Sequence, residues 1–370
     1  MDCIFIEELF FEVLQVALDR RERLSKVLTD DEWKALFKIC QKQTLTAFVY
    51  TALGKLENMG QKPPKDLLYQ WISISELIKR QNRMMNDELL EWTSFFGNAG
   101  LHSVVLKGQA NAVLYPDPLS RQPGDIDIYV EGGRQKLYNL LIEKVGINEN
   151  CRNNIAPSHH HIHLPRNKNG IEVEIHYQLS SGNHNPITNR RLQKLLKEEY
   201  LKGTELKQEG FGVPSLKFAL IMQLSHIQSH AISSGIGLRQ IVDYYYLLKA
   251  GGKSLSTSSI NLSKLGLRNI AGAIMWIMKE KMQIEDKYLV VPADYMRGKI
   301  LLNIIMDGGN FGHYSRKPAK GSLLSMALKK HVMKLPLMRL NASEVLWQEI
   351  DSVVFFIKTL PRRIGKRSLI

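Results

Sequence analysis

Apolar positions fall at helical spacing through the first hundred or so residues. "FIEELFFEVLQVAL" and "TDDEWKALFKICQKQ" each carry an apolar stripe, and the second opens with Thr29 and Glu32 as a capping-box signature. After Pro63 and Pro64, "KDLLYQWISISELIKRQNRMMNDELLEWTSFFGNAG" predicts one long helix closed by Gly100. The pattern then changes. "HSVVLKG" predicts a short buried strand ending at Gly108, "QANAVLY" a helix of two turns stopped by "PDP", "DIDIYVEGG" a strand, and "RQKLYNLLIEKVG" a helix. Two extended segments follow, "HHHIHLPR" and "IEVEIHYQL", joined by "NKNG", whose Asn-Gly is the best short hairpin signal in the chain. From Val213-Pro214-Ser215 the helical period returns and persists through "LKFALIMQLSHIQSHA" and "LRQIVDYYYLLKA". The expected fold is α+β: helical residues 1–99, a small α/β core over 100–212, and a helical region with a basic tail over 213–370. No internal repeat is evident.

Composition narrows the class only slightly. A chain of 370 residues is long enough for two or three compact units. Cys3, Cys40 and Cys151 are odd in number and widely spaced, which argues against a disulfide framework or a zinc knuckle and for a reducing compartment. The first residues include Asp2, Glu7, Glu8 and Glu12 and lack the basic start and apolar run of a signal peptide. No stretch reaches the run of about 18 apolar residues that a membrane span needs, so a cytoplasmic protein is expected. The net charge of +14 is uneven: from Arg316 onward twelve Lys/Arg face Glu344, Glu349 and Asp351, which places +9 there. That segment reads as a solvated helical face, or as a contact for an anionic membrane, nucleic acid or acidic partner.

Candidate chemistry is concentrated at "LKGQANAVLYPDPLSRQPGDIDIYV". Alternate residues of a strand face the same way, so Asp125 and Asp127 present two carboxylates to one side. Left unpaired they raise each other's pKa, and a divalent cation such as Mg²⁺ relieves the repulsion. An isolated D-x-D can equally be a strand end facing water. Gly108 permits close approach, and the backbone N–H groups over Lys107–Ala110 are candidates to face an anion. On "IEVEIHYQL", Glu172, Glu174 and His176 share one face, which offers a third carboxylate.

The order strand, Gly, helix, loop, D-x-D strand, helix, hairpin with an acidic strand resembles the nucleotidyltransferase core of the DNA polymerase β superfamily. More closely, "LKGQANAVLYPDPLSRQPGDIDIYV" with "HHIHLPR" and "IEVEIHYQL" is similar to a family of bacterial nucleotidyltransferases. The resemblance covers residues 100–180 well, continues loosely into "HIQSH" and "RQIVD", and says little about 1–95 or 250–370. It implies that Asp125, Asp127 and Glu174 bind catalytic Mg²⁺ or Mn²⁺, with Glu172 the competing third acid. It implies further that Lys107 and Gly108 hold the triphosphate of an NTP substrate. The superfamily usually has Ser where Gln109 stands, so the Gln109 amide or nearby backbone N–H groups would have to replace a hydroxyl. The resemblance implies transfer of NMP to a hydroxyl acceptor with release of pyrophosphate. A glycosyltransferase using the D-x-D for a nucleotide sugar, and a non-catalytic antitoxin-like module on the same fold, are the alternatives.

Arg121 is a candidate phosphate ligand, or a salt-bridge partner of Asp117 or Asp125. A four-residue "NKNG" loop sets His163 opposite Glu174 and His161 opposite His176; a two-residue loop sets His163 opposite His176. In either register these histidines either orient Glu174, form a transition-metal site, or line a polar rim. "HIQSH" has zincin spacing but Ile227 in place of the catalytic Glu, which argues against a metalloprotease. His226 with His230, and Arg239 with Asp243 as an i,i+4 pair, are expected to form a polar network or to contact a nucleobase or acceptor across the cleft.

Overall fold

The computed structural model describes residues 3–145, 160–251, 260–309 and 335–367, with side chains described over 5–143, 160–251, 260–309 and 335–354. His159, Cys151 and the side chains of the basic C-terminal tip therefore lie outside the described residues. Four helices lead the chain: α1 (Cys3–Ala17), α2 (Asp30–Lys42), α3 (Thr46–Asn58) and α4 (Lys65–Asn98). The capping box of α2 is formed in both directions, Thr29 accepting from the Glu32 N–H and Glu32 from the Thr29 N–H. Just beyond α4, Gly100 takes the positive φ of 69° that ends the helix.

A four-stranded sheet follows, built from β1 (Ser103–Val105), β2 (Ile126–Val130), β3 (His161–His163) and β4 (Val173–His176) in the order β1-β2-β4-β3. β2 and β4 run parallel, with α6 (Gly133–Val145) in the crossover, while β1 and β3 pair antiparallel on the outside. The hairpin register puts His161 opposite His176 and His163 opposite Glu174, as a four-residue loop requires. Between β1 and β2, α5 (Gln109–Ala112) is a single turn rather than the two expected. Pro116 and Pro118 and a short 3-10 turn at Pro118–Ser120 take over the chain there.

Alternation gives the sheet two unlike faces. Val105, Ile126, Ile128, Val130, Ile162, Val173 and Ile175 pack against Met85, Leu89 and Phe96 of α4 and Leu137 and Leu141 of α6. Each such fully buried side chain contributes about 1.5–3 kcal/mol. The other face carries Asp127, Glu174, His176 and His161, and two later helices, α8 (Leu216–Ser233) and α9 (Leu238–Gly251), supply the residues across from it. Before α8 come α7 (Pro186–Tyr200) and the small hairpin of β5 (Thr204–Leu206) and β6 (Gly212–Pro214). After α9 come α10 (Arg268–Glu280), α11 (Tyr295–Gly308) and α12 (Leu335–Arg367), the last interrupted at Asn341.

The apolar clusters divide the chain differently from the three-part sequence expectation. α1 to α3 share one continuous core with α7 to α11, while the lower half of α4 belongs to the sheet. Polar ties cross the same seam. Arg20 donates to Tyr245 Oη at 2.8 Å and forks onto Glu285 at 2.8 and 2.9 Å. Buried Gln43 donates to the Ile305 carbonyl and accepts from the Leu238 N–H. The leading helices thus belong to the same helical body as α7 to α11. No helix among the described residues is long and apolar enough to cross a membrane.

Candidate functional site

The polar face of the sheet and α8 enclose a cavity of about 370 Å³, which meets a narrower recess reaching α9. Parallel pairing sets Asp127 directly beside Glu174. Asp125 lies one residue before β2, on the rim. Its carboxylate is one-third exposed, whereas that of Asp127 is 1% exposed.

Lys107 enters from the end of β1. Its Nζ lies 3.0 Å from Asp127 Oδ2 and 3.7 Å from Asp125 Oδ2, so one ammonium faces both carboxylates. Gly108 turns the chain there at a φ of 65°, a conformation that L side chains rarely adopt. Burial draws the Lys107 pKa down, but Asp125, Asp127 and Glu174 overcome it and raise the value. Lys107 in turn holds Asp125 down to about 2 against the cost of burial. For Asp127 burial and Asp125 win, and its pKa rises.

His176 ties the carboxylates together. Its Nε2 is 2.9 Å from Asp127 Oδ1 and 3.4 Å from Glu174 Oε2. These bonds outweigh burial and raise the His176 pKa, and they hold Glu174 below its ordinary value despite burial. Nearby, burial pushes His160 down to about 3 and His230 down to about 4, and lowers His161 and His226 as well. Met222, His226, Ser229 and His230 reach the cavity from one face of α8.

Several sequence-derived residues stand elsewhere than expected. The Arg121 guanidinium is paired with neither Asp117 nor Asp125: it forks onto Asp243 of α9 at 2.8 and 2.9 Å, and Tyr115 Oη donates to the same carboxylate at 2.7 Å. Both Arg121 and Asp243 are buried, so this fork is engaged internally although it borders the recess. Asp243 is therefore not the partner of Arg239. Arg239 instead donates from one guanidinium nitrogen to the carbonyls of Gln122 and Pro123 at 2.9 and 3.0 Å, and its Nε is buried without a hydrogen bond. Burial and the neighbouring Arg121 pull its pKa down to about 10. Gln109 turns away from the cleft, its amide donating to Asn86 of α4 at 2.7 Å. The N–H groups of Ala110 and Asn111 are taken by the carbonyls of Lys107 and Gly108, which leaves a smaller backbone cradle than expected. Glu172 and His163 also lie outside the cavity, where Glu172 is bonded to Arg166 with His163 Nε2 at 3.9 Å.

The donor set fits a hard divalent cation. Asp127 Oδ2 is buried and, although near the Lys107 ammonium, takes no hydrogen bond. One ligand atom each from Asp127, Glu174 and His176 lies within 4.8 Å of the others. Sequence reasoning singled out the histidine run that includes His160 without setting His160 itself in the cavity wall, and it gave Arg239 a partner it does not have. The clue for Arg239 was its place one helical turn before Asp243, but the competitor for that carboxylate lies 122 residues away.

The fold is α+β: a small mixed sheet with an acidic face, framed by helices. The profile of a family described as uncharacterised nucleotidyltransferase matches residues 29–283, and the chain belongs to that family. The matched span runs from the cap of α2 to just beyond α10, so it takes in helices on both sides of the sheet as well as the cleft. Among curated proteins, none matches the sequence. Among solved structures, the chain is similar to an antigenic nucleotidyltransferase-like protein from Paracoccidioides brasiliensis, at 11% identity and a TM-score of 0.28, over 45% of this chain and 75% of that one. At that TM-score the likeness is too slight to bear on activity.

Proposed function

We propose that the chain is a metal-dependent nucleotidyltransferase that moves NMP from an NTP to a hydroxyl acceptor. The acceptor oxygen forms a new bond to the α-phosphorus, the bond from that phosphorus to the bridging oxygen breaks, and pyrophosphate leaves. The observation that carries this reading is the side-by-side setting of Asp127 and Glu174 on parallel strands, with Asp125 on the rim and Lys107 facing the pair. Mg²⁺ or Mn²⁺ held by Asp125, Asp127 and Glu174 would neutralise phosphate charge and act as a Lewis acid. His176 fixes the orientation of Asp127 and Glu174 through its two contacts. Arg239, a buried cation with no carboxylate partner among the described residues, suits the phosphate chain better than the engaged Arg121. Glu174, which lines the cavity, serves as base for the acceptor proton in preference to Glu172, which lies outside it.

A nucleotide-sugar glycosyltransferase receives less support, since the family profile spans the whole cleft. The test is transfer of label from α-labelled NTPs, with Mg²⁺ or Mn²⁺, into acceptors of a cell extract. Asp125→Ala/Asp127→Ala is expected to lower transfer by at least about 10³-fold, the scale of losing pre-organised charge stabilisation. Undiminished transfer in that variant would sink the assignment.

A further inference from the structure

Beside the carboxylates, the cavity has a nitrogen-rich corner that nucleotidyl transfer leaves unused. His160 Nε2 and His161 Nδ1 share a hydrogen bond at 2.9 Å, whose proton a bound ion would replace, and His161 Nδ1 is 3.4 Å from Glu174 Oε2. Ligand atoms held about 2.0–2.1 Å from a tetrahedral ion are themselves separated by about 3.3 Å, between these two spacings. His176 stands in the same wall, and one ligand nitrogen from each of His160, His161 and His176 lies within 4.8 Å of the others. The three rings come from two adjacent antiparallel strands and the residue leading into one of them, so the sheet sets their spacing.

His176 supplies a second, independent observation. It is 4% exposed, with Nε2 engaged by Asp127 while Nδ1 is buried and takes no hydrogen bond. A carboxylate behind one ring nitrogen and an unsatisfied nitrogen on the other is how ligating histidines are usually held.

We propose that His160, His161 and His176 bind a divalent transition-metal ion of the Zn²⁺ type, with the fourth position left to water. Imidazole suits Zn²⁺, Fe²⁺ and Ni²⁺, whereas Mg²⁺ takes oxygen, so this corner and the carboxylate group select different ions. The corner meets the carboxylates through His176, but its preference for such an ion follows from the imidazoles whether or not NTP is the substrate.

The test uses Co²⁺ as the probe on the full chain after removal of metals by a chelator. We expect intense visible d–d absorption from one four-coordinate ion per chain, bleached by Zn²⁺ and resistant to excess Mg²⁺. His160→Gln and His161→Gln should each weaken Co²⁺ binding, by about 10–100-fold or more, with circular dichroism checking that each variant is folded. Asp125→Asn, which alters only the carboxylate pair, should keep the absorption. A pale six-coordinate spectrum displaced by Mg²⁺ overturns the proposal, and so does undiminished binding in both histidine variants. Loss of the absorption in Asp125→Asn overturns it as well. If a histidine variant fails to fold, competition by Mg²⁺ on the unaltered chain still decides. Intact Co²⁺ binding without nucleotidyl transfer would remove the transfer reading and leave this site standing.

Discussion

The two faces of the central sheet are made by the same few residues of backbone and do opposite work. On one, Ile126, Ile128 and Val130 meet only apolar neighbours from α4 and α6. On the other, Asp127 and His176 are almost as well buried and Glu174 is partly so, but they are held by contacts among themselves and with Lys107. The first face stabilises by removing carbon from water. The second stabilises little, because desolvating charges offsets most of what their pairing returns. A polar face that contributes so little to stability is best understood as kept for chemistry.

Two buried arginines on that polar side make the contrast sharper, and the largest expected effect comes from the paired one. Arg121→Met leaves Asp243 buried with only Tyr115 as donor and should cost about 3–5 kcal/mol in denaturant unfolding. On the apolar face Ile128→Ala should cost about 2–5 kcal/mol in the same measurement, since Ile128 is fully buried. Nucleotide affinity in the folded Ile128→Ala variant should stay near that of the parent, by calorimetry with a non-hydrolysable NTP. Arg239→Met should do the reverse: the melting temperature stays level or rises, because a buried cation without a carboxylate is removed, while NTP affinity falls roughly 10-fold. A parallel loss of stability and affinity in that variant would erase the distinction between the two arginines.

The smallest effect is on pH dependence. His226 and His230 are held below their ordinary pKa by burial, His230 at about 4. The unfolded chain therefore binds more protons in this range, so their contribution is complete above about pH 6.5 and is lost as the pH falls towards 4. His176, whose pKa is raised, works the other way, losing its contribution as the pH rises. Melting temperature is expected to fall on acidification across that window, and His230→Asn should flatten the fall.

Local signals were legible in the sequence where the physics is local. The capping box at Thr29 and Glu32 formed as read, and "NKNG" marked the hairpin, whose four-residue form, one of two registers open in the sequence, sets His163 opposite Glu174. The family was also legible, from the resemblance of the motifs around Gly108, Asp125, Asp127 and Glu174 over residues 100–180. What escaped depends on partners far away in the chain. Arg121 finds Asp243 across 122 residues, Gln109 finds Asn86 on a helix that precedes the sheet, and α1 finds α10 through Gln15 and the Lys281 carbonyl across 266. No periodicity in one segment announces which distant element will cover it, so the shared helical core and the uncompensated Arg239 appear only once the chain is folded.

The parallel pairing of β2 with β4 also has a kinetic consequence. His176 and Asp127 are 49 residues apart, and they meet only after the crossover has closed. Non-local pairing of this kind bears the entropy of loop closure before any contact rewards it, so it belongs among the slower steps of folding. The hairpin of β3 and β4 can form early, but it carries only one side of the cleft. Ligand capture is thus expected to trail secondary structure during refolding, and the cleft becomes competent only when the crossover is complete.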